Sequence, residues 1–551
     1  MNPISITNTG MELSDCRDKW TYNEKHQCWC LEDILYTPVP QAPAFQRLSV
    51  FAPKALMNPD GTPKEISKSI PVVFENNAAG YMQMPHAWPG GPRWYGDQYL
   101  QHGLIYVSCG CRGRDSYSES GEPVGKAPWT LIDLKTALRF LRHNRSSLPG
   151  NWNRVISVGF SAGGAMSALL GVTGNHPDYE AYLQEAGAFM EESDAVFASQ
   201  IYCPIIDLEH ADMAYEWMFR ADKTCENSPA GPAETMTPFK EALSQQLFRQ
   251  YINYLNGLNL RHPETKEPLT LNADGRSGSF YDYFMKQLGD SATIYLNRLQ
   301  NHRQPETWTI EEYLSGDYTW LAPVPQAGPA HHAGQEVALD DFPRPRGLGE
   351  MLLRPAPGQE RPERQPRMEE KRGDDKHAWL SWDGKQATIT DLDTYVLSHR
   401  RRMKPCTAFD KLTMDSGENH EFGDEARDYR HFSSSVSAAI HALQTDWPKE
   451  SEQLLAEYHS DLSALQNQVK LLNPLCYIED KKAGHARHFR IRVGARDADT
   501  SFSVSMILYL LLYQAGYDTD YALVWDMPHS EADYPGEILA WIDRICGTNI
   551  L

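Results

Sequence analysis

The 551-residue chain lacks any stretch approaching the roughly 20 consecutive apolar residues that a bilayer-spanning helix needs. Its best candidate, residues 504–512, is short and is interrupted by Ser505, so no membrane span or membrane partner is expected. The first thirty residues include Asp15, Asp18 and Glu24 and show no apolar core behind a basic start. No secretory signal is visible, so a cytoplasmic location is the expectation, with export left open as the alternative. Basic residues are scarce: 52 Lys and Arg face 73 Asp and Glu, a net charge of -21 that repels a phosphate backbone and argues against a nucleic-acid partner. Cysteine is sparse as well. The ten cysteines have no CxxC spacing and fall far short of a disulfide scaffold. Cys28-Trp29-Cys30 and Cys109-Gly110-Cys111 each resemble half of a metal site without a second half, so free thiols and no metal are expected.

What is present is an ordinary globular composition, 41% apolar and 11% aromatic, in a chain long enough for several domains or for one large fold with an insertion. From about residue 70, short β-branched runs alternate with amphipathic stretches, the pattern of βαβ units and a parallel sheet. Strands are predicted over residues 70–74, 104–108, 155–158 and 195–201. A helix carrying Leu131, Leu134, Leu138 and Leu141 on one face is predicted to start at a capping Thr130. The alternation stops near Leu208 and resumes near His488, leaving about 270 residues where a connection of about four to six is usual. The reading is therefore a first core segment at 1–208, an inserted domain at 209–475 and a second core segment at 476–551. Within the insertion, nine prolines fall between Pro323 and Pro366, around four times the usual ~5%, and the tract 321–376 reads as a mobile surface loop or linker. Residues 451–472 read as a long amphipathic helix. In the second core segment, residues 489–493 and 521–525 read as strands, and 504–513 and 537–545 as helices.

The chemically informative motif is Gly159-Phe160-Ser161-Ala162-Gly163-Gly164, set between a β-branched strand and a helix of small residues. It matches the G-x-S-x-G nucleophile elbow, in which glycines make room for a serine on a strained turn. Serine needs a histidine to take its proton and a carboxylate to orient that histidine, in the chain order Ser, acid, His for this fold. His485 and His488 precede or begin a strand, at the wrong edge of a parallel sheet, whereas His529 follows one in Asp526-Met527-Pro528-His529-Ser530. The acid is expected in Gly494-Ala495-Arg496-Asp497-Ala498-Asp499-Thr500, with Asp497 first, Asp499 second or a helix cap, and Asp526 a weaker alternative. The oxyanion amides are expected from Ala162 and from Ala78 or Ala79, between which the sequence does not choose.

The elbow, the turn Arg492-Val493-Gly494-Ala495-Arg496-Asp497-Ala498-Asp499-Thr500 and Trp525-Asp526-Met527-Pro528-His529-Ser530 together resemble bacterial tannases, tannin acylhydrolases related to feruloyl esterases. The resemblance spans roughly residues 35–320 and 376–551. It implies an α/β-hydrolase fold with a mainly parallel twisted sheet and a large inserted lid domain. It also implies a galloyl ester as the small-molecule substrate, with Lys404, Glu418 and Asp499 in the galloyl pocket. Where family members tend to have Ser-Gly-Asp-Tyr after the histidine, this chain reads Ser530-Glu531-Ala532-Asp533-Tyr534, one residue longer and without the glycine.

Carboxylates suit the phenolic hydrogens of a galloyl ring, and a lysine suits a phenolic oxygen. The function expected is a serine esterase cleaving galloyl esters through an acyl-enzyme, with Ser161, Asp497 and His529 as the triad and no metal or organic cofactor. A feruloyl or general carboxylesterase and a catalytically silent hydrolase fold used for binding are the alternatives. A prolyl-type peptidase shares the catalytic order but is not expected, because it would need an N-terminal propeller and the residues before 70 are too few for one. The sequence says nothing of oligomeric state.

Overall fold

The computed structural model describes residue 13 and residues 19–91, 93–225, 234–300, 310–315, 379–399 and 402–547. The proline-rich tract at 321–376 lies outside these residues. Among them, nine strands form one sheet in the order β1-β2-β3-β5-β4-β6-β7-β12-β13. They are β1 Thr21–Asn23, β2 Cys28–Leu35, β3 Arg47–Pro53, β4 Pro71–Asn76, β5 Ile105–Cys109, β6 Asn151–Phe160, β7 Ala198–Tyr202, β12 His488–Gly494 and β13 Asp518–Val524. Two short hairpins stand apart, β8 Thr224–Cys225 with β9 Glu234–Thr235 and β10 Leu380–Trp382 with β11 Ala387–Ile389.

From β5 to β13 every neighbouring pair is parallel. Helices on both faces bury these strands, which explains why they read as unbroken apolar runs: β4, β5 and β7 are buried throughout. The sheet is that of an α/β-hydrolase. The strands β1, β2 and β3 pair antiparallel and join the sheet beside β5. They escaped the reading of the sequence because no helix separates them, so the βαβ rhythm that marks the rest of the sheet is missing there.

Most predicted elements are present with shifted ends. The helix predicted from Thr130 runs over Trp129–His143, with Pro128 rather than Thr130 at its cap. Thr130 lies inside the first turn, fully buried, and its hydroxyl donates to the Arg112 carbonyl at 3.0 Å. The helix after β12, Phe502–Gln514, is capped by Ser501, whose side chain accepts from the Ser503 amide, so Asp499 is released from the capping role. Between β7 and β12 no described strand joins the main sheet. That stretch contains the helices Leu208–Phe219, Pro238–Gly257, Ser279–Gln300, Ser434–Leu443 and Pro448–Leu471, together with shorter ones. No helix among the described residues is long and apolar enough to cross a membrane.

Candidate active site

Ser161 stands between β6 and the helix Ala162–Val172 with φ 61° and ψ -122°, a conformation that costs a non-glycine residue about 1–3 kcal/mol. The turn is held by the Ser161 amide donating to the Tyr202 carbonyl at 3.0 Å and by the Ala165 amide donating to the Ser161 carbonyl at 3.0 Å. Two glycines make it possible. A Cβ on Gly159 would stand 2.1 Å from the Gly163 carbonyl oxygen, and one on Gly164 would stand 2.4 Å from that of Tyr202.

The candidate base arrives on the loop after β13, where His529 Nε2 lies 2.9 Å from Ser161 Oγ. Its Nδ1 lies 2.9 Å from Asp497 Oδ2, on the loop after β12. The two loops are backed against each other: the amides of Ala495 and Arg496 donate to Val524 and Met527, each at 2.8 Å. A Cβ on Gly494 would stand 2.2 Å from the Pro528 carbonyl, so glycine is what lets the histidine loop cross so closely. Asp497 is fully buried and accepts from the Asp499 amide at 2.8 Å. Phe160 packs its ring 4.7 Å from that of His529. The long run after His529 is pinned from below by Asp533, which accepts from both terminal nitrogens of Arg490, at 2.8 and 2.6 Å, and from the Tyr202 hydroxyl at 2.8 Å. That buried cluster does the work of anchoring a loop that lacks the glycine of the resembled motif.

Electrostatics favour the protonated imidazole. Burial opposes the charge, but the carboxylates of Asp497 and Asp499, with the Asp497 hydrogen bond, outweigh it and hold His529 well above the ordinary histidine value. Asp499 Oδ2 stands 3.9 Å from Nδ1 and is itself about one-third exposed. His485 and His488 bond to Tyr477 and Asp518 instead, and His488 opens β12 at the opposite sheet edge. Asp526 pairs with His399 at 3.0 Å and accepts from Tyr313 at 2.7 Å, so its carboxylate is engaged by these two residues rather than by His529.

Of the amides expected to face an oxyanion, Ala162 opens the elbow helix. The Ala78 nitrogen lies 3.7 Å from where a Cβ of Gly163 would be, against the first turn of that helix. Ala78 is buried and Ala79 half-buried. The residues named by the resemblance stand on separate elements. Lys404 is half-buried, with Nζ 4.0 Å from the centre of the Phe409 ring. Its backbone amide and that of Met403 donate to the Tyr215 hydroxyl, which donates to the Ala498 carbonyl at 3.1 Å, beside Asp499. Glu418 sits on the short helix Gly417–Glu421, which rests on Arg114; Arg114 Nε donates to the Gly80 carbonyl at 2.9 Å, on the loop of Ala78 and Ala79. On that helix Glu421 is fully buried, and burial lifts its carboxyl well above the usual range despite Arg114 and Lys126.

Reading the sequence missed Cys203 altogether. It follows β7 at the same sheet edge with φ 40°, is fully buried, and its thiol donates to the Ser530 carbonyl at 3.2 Å. Burial, and then the charge of Asp497, raise its pKa against the opposing pull of His529. Its position directly after a strand was the available signal. The nine described cysteines are free thiols.

A nucleophile-elbow serine at the carboxyl edge of this sheet, within reach of an imidazole held by a carboxylate, defines an α/β-hydrolase arrangement of the ester-cleaving kind. A protein-family model, BD-FAE, matches residues 116–227. Curated relatives match locally: esterase LipC of Mycobacterium tuberculosis is 33% identical over 99 residues, 18% of this chain and 25% of that protein. Gut esterase 1 of Caenorhabditis briggsae is 29% identical over 109 residues, 20% of this chain and 19% of that protein. The chain thus matches a quarter or less of the length of these two esterases. Solved structures match throughout. The tannin acyl hydrolase of Lactobacillus plantarum, in its native form and in complex with ethyl gallate, is 31% identical with a TM-score of 0.71, covering 94% of both chains. The tannase of Fusobacterium nucleatum is 26% identical with a TM-score of 0.70, covering 94% of this chain and 95% of its own. The chain is a carboxylic-ester hydrolase of the α/β-hydrolase fold. It belongs to the tannin acyl hydrolase, or tannase, family.

Proposed function

We propose that this protein is a serine esterase that cleaves galloyl esters to gallic acid and an alcohol through an acyl-enzyme. The observation that carries the reading is the imidazole of His529 bridging Ser161 Oγ and Asp497 Oδ2 at 2.9 Å on each side. His529 Nε2 takes the Ser161 proton as Oγ attacks the galloyl carbonyl carbon, and Asp497 holds Nδ1–H so that Nε2 stays the acceptor. The negative oxygen that forms is received by the amides of Ala162 and Ala78, the second preferred to Ala79 because of its approach to Gly163. As the tetrahedral centre collapses, the alcohol leaves with the proton from Nε2. Water then enters and loses a proton to the same nitrogen as its oxygen attacks the acyl carbonyl; the bond from that carbon to Ser161 Oγ breaks, Oγ recovers the proton from Nε2, and gallic acid is released.

The acyl group is taken to be galloyl because Lys404, Glu418 and Asp499 bring one cation and two carboxylates to a ring with three adjacent hydroxyls. A relative bound to ethyl gallate supports the assignment. Such a site rejects a ring lacking those hydroxyls, since its polar groups would then be left unpaired. The stretch at 209–475, with no described strand in the main sheet, is taken as an inserted lid domain between core segments 1–208 and 476–551.

Methyl gallate, methyl ferulate and p-nitrophenyl acetate test this together with fluorophosphonate labelling. Strong preference for methyl gallate, and labelling abolished by Ser161→Ala, are expected. Labelling that survives Ser161→Ala would refute the nucleophile, and equal kcat/KM on the gallate and ferulate esters would refute the galloyl assignment.

A further inference from the structure

The triad surroundings contain more ligating chemistry than ester hydrolysis uses. The thiol sulfur of Cys203, a carboxylate oxygen of Asp497 and a ring nitrogen of His529 all lie within 4.8 Å of one another. Zinc binds nitrogen and sulfur at about 2.0–2.3 Å, and the larger cadmium ion at somewhat longer distances, which sets three ligands roughly 3.5–4 Å apart. Small side-chain movements therefore suffice to close this trio on an ion. Thiolate and imidazole are the donors that select borderline and soft cations over magnesium or calcium. Cys203 and Asp497 are fully buried. Asp499, about one-third exposed and 3.9 Å from His529 Nδ1, adds a second, partly solvated carboxylate whose charge attracts a cation to this cluster.

We propose that Cys203, Asp497 and His529 form a binding site for a thiophilic divalent cation such as Cd2+ or Zn2+, and that its occupancy switches the esterase off. The charges close: one dication balances one thiolate and one carboxylate. Asp497 meets the imidazole at Nδ1, so an ion gathered by all three takes that nitrogen and displaces its proton. The proton is accommodated at Nε2, while the thiol proton of Cys203 passes to solvent. Nε2–H then faces Ser161 Oγ as a donor, and the nitrogen that should accept the serine proton no longer has a lone pair for it. No redox step is involved.

The site itself stands on geometry. Its effect on turnover rests on the serine-esterase reading, so binding and activity are measured separately. The full-length protein is titrated with CdCl2 while the ultraviolet thiolate-to-cadmium charge-transfer band is followed, and hydrolysis and fluorophosphonate labelling are recorded on the same samples. A saturable band, parallel inhibition reversed by EDTA, and no inhibition by MgCl2 at equal concentration are expected. Cys203→Ser and Cys203→Ala should each lose one equivalent of the band. Each variant, judged against its own metal-free rate, should be inhibited at least roughly tenfold more weakly. Cys28 and Cys30, whose sulfurs lie 3.7 Å apart, are the competing thiols, so Cys28→Ser should leave the inhibition in place. A band and inhibition indifferent to both Cys203 variants, or equal inhibition by Mg2+, would overturn the site. A Cys203-dependent band without loss of turnover would overturn its link to catalysis.

Discussion

The charge that Asp499 places beside His529 has a consequence for the pH profile. At 3.9 Å from Nδ1, a unit charge interacts with an imidazolium by about 1 kcal/mol at the dielectric of water and about 4 kcal/mol at an effective constant of 20. Because the carboxylate is about one-third exposed, the lower end applies, and about 1.4 kcal/mol corresponds to one pKa unit. Asp499 stabilises the protonated ring and so raises the His529 pKa. The reaction needs the neutral ring, so activity is absent below that pKa and rises as pH passes through it. Asp499→Asn keeps the size of the side chain and removes the charge, and should move the acid limb of kcat/KM to lower pH by about one unit. The assay uses p-nitrophenyl acetate, which has no phenolic hydroxyls for Asp499 to hold, so the shift reports on His529 alone. With methyl gallate the same variant should in addition raise KM. An acid limb that stays in place or moves to higher pH would refute the electrostatic account.

Tyr215→Phe removes the hydroxyl joining the Lys404 backbone to the Ala498 carbonyl and should weaken methyl gallate binding by about 1–3 kcal/mol, with p-nitrophenyl acetate turnover little changed. Equal losses on both esters would contradict the positioning role. Glu75, buried on β4, has its carboxyl pushed from 4.5 up to about 8, chiefly by burial and against the Tyr106 hydrogen bond. The native state therefore holds a proton that the unfolded chain releases, so stability falls as pH rises from 4.5 to about 8 and the full penalty stands above that. Glu75→Gln should raise the Tm at pH 9 more than at pH 5, as differential scanning fluorimetry would register; a pH-independent effect would refute it.

Much of the fold and of the candidate site is legible along the chain, for local reasons. A strained turn tolerates only small neighbours, so Gly159, Ser161 and Gly164 announce an elbow before any contact is known. A parallel strand buried on both faces must be an unbroken apolar run, which located β4 to β7, β12 and β13 within a few residues. The chain order of a hydrolase triad then directed attention to the loops of Asp497 and His529. The antiparallel strands β1 to β3 lack the intervening helices that make such runs readable, and the cap at Thr130 failed because a residue that prefers caps also bonds well inside a first turn.

Spacing along the chain could not decide which polar groups meet across hundreds of residues. That Asp526 turns to His399 and Tyr313 while Asp497 turns to His529 depends on which element packs behind each loop. That Cys203 joins the same cluster, and that Arg490 and Asp533 anchor the lengthened histidine loop, depends on strand order in the sheet. Local geometry and the kinds of chemistry on offer are written along the chain, because they follow from steric demands and side-chain type. The partners are set by the packed fold, because hydrogen bonds and charges act over a few ångströms of space whatever their separation along the chain.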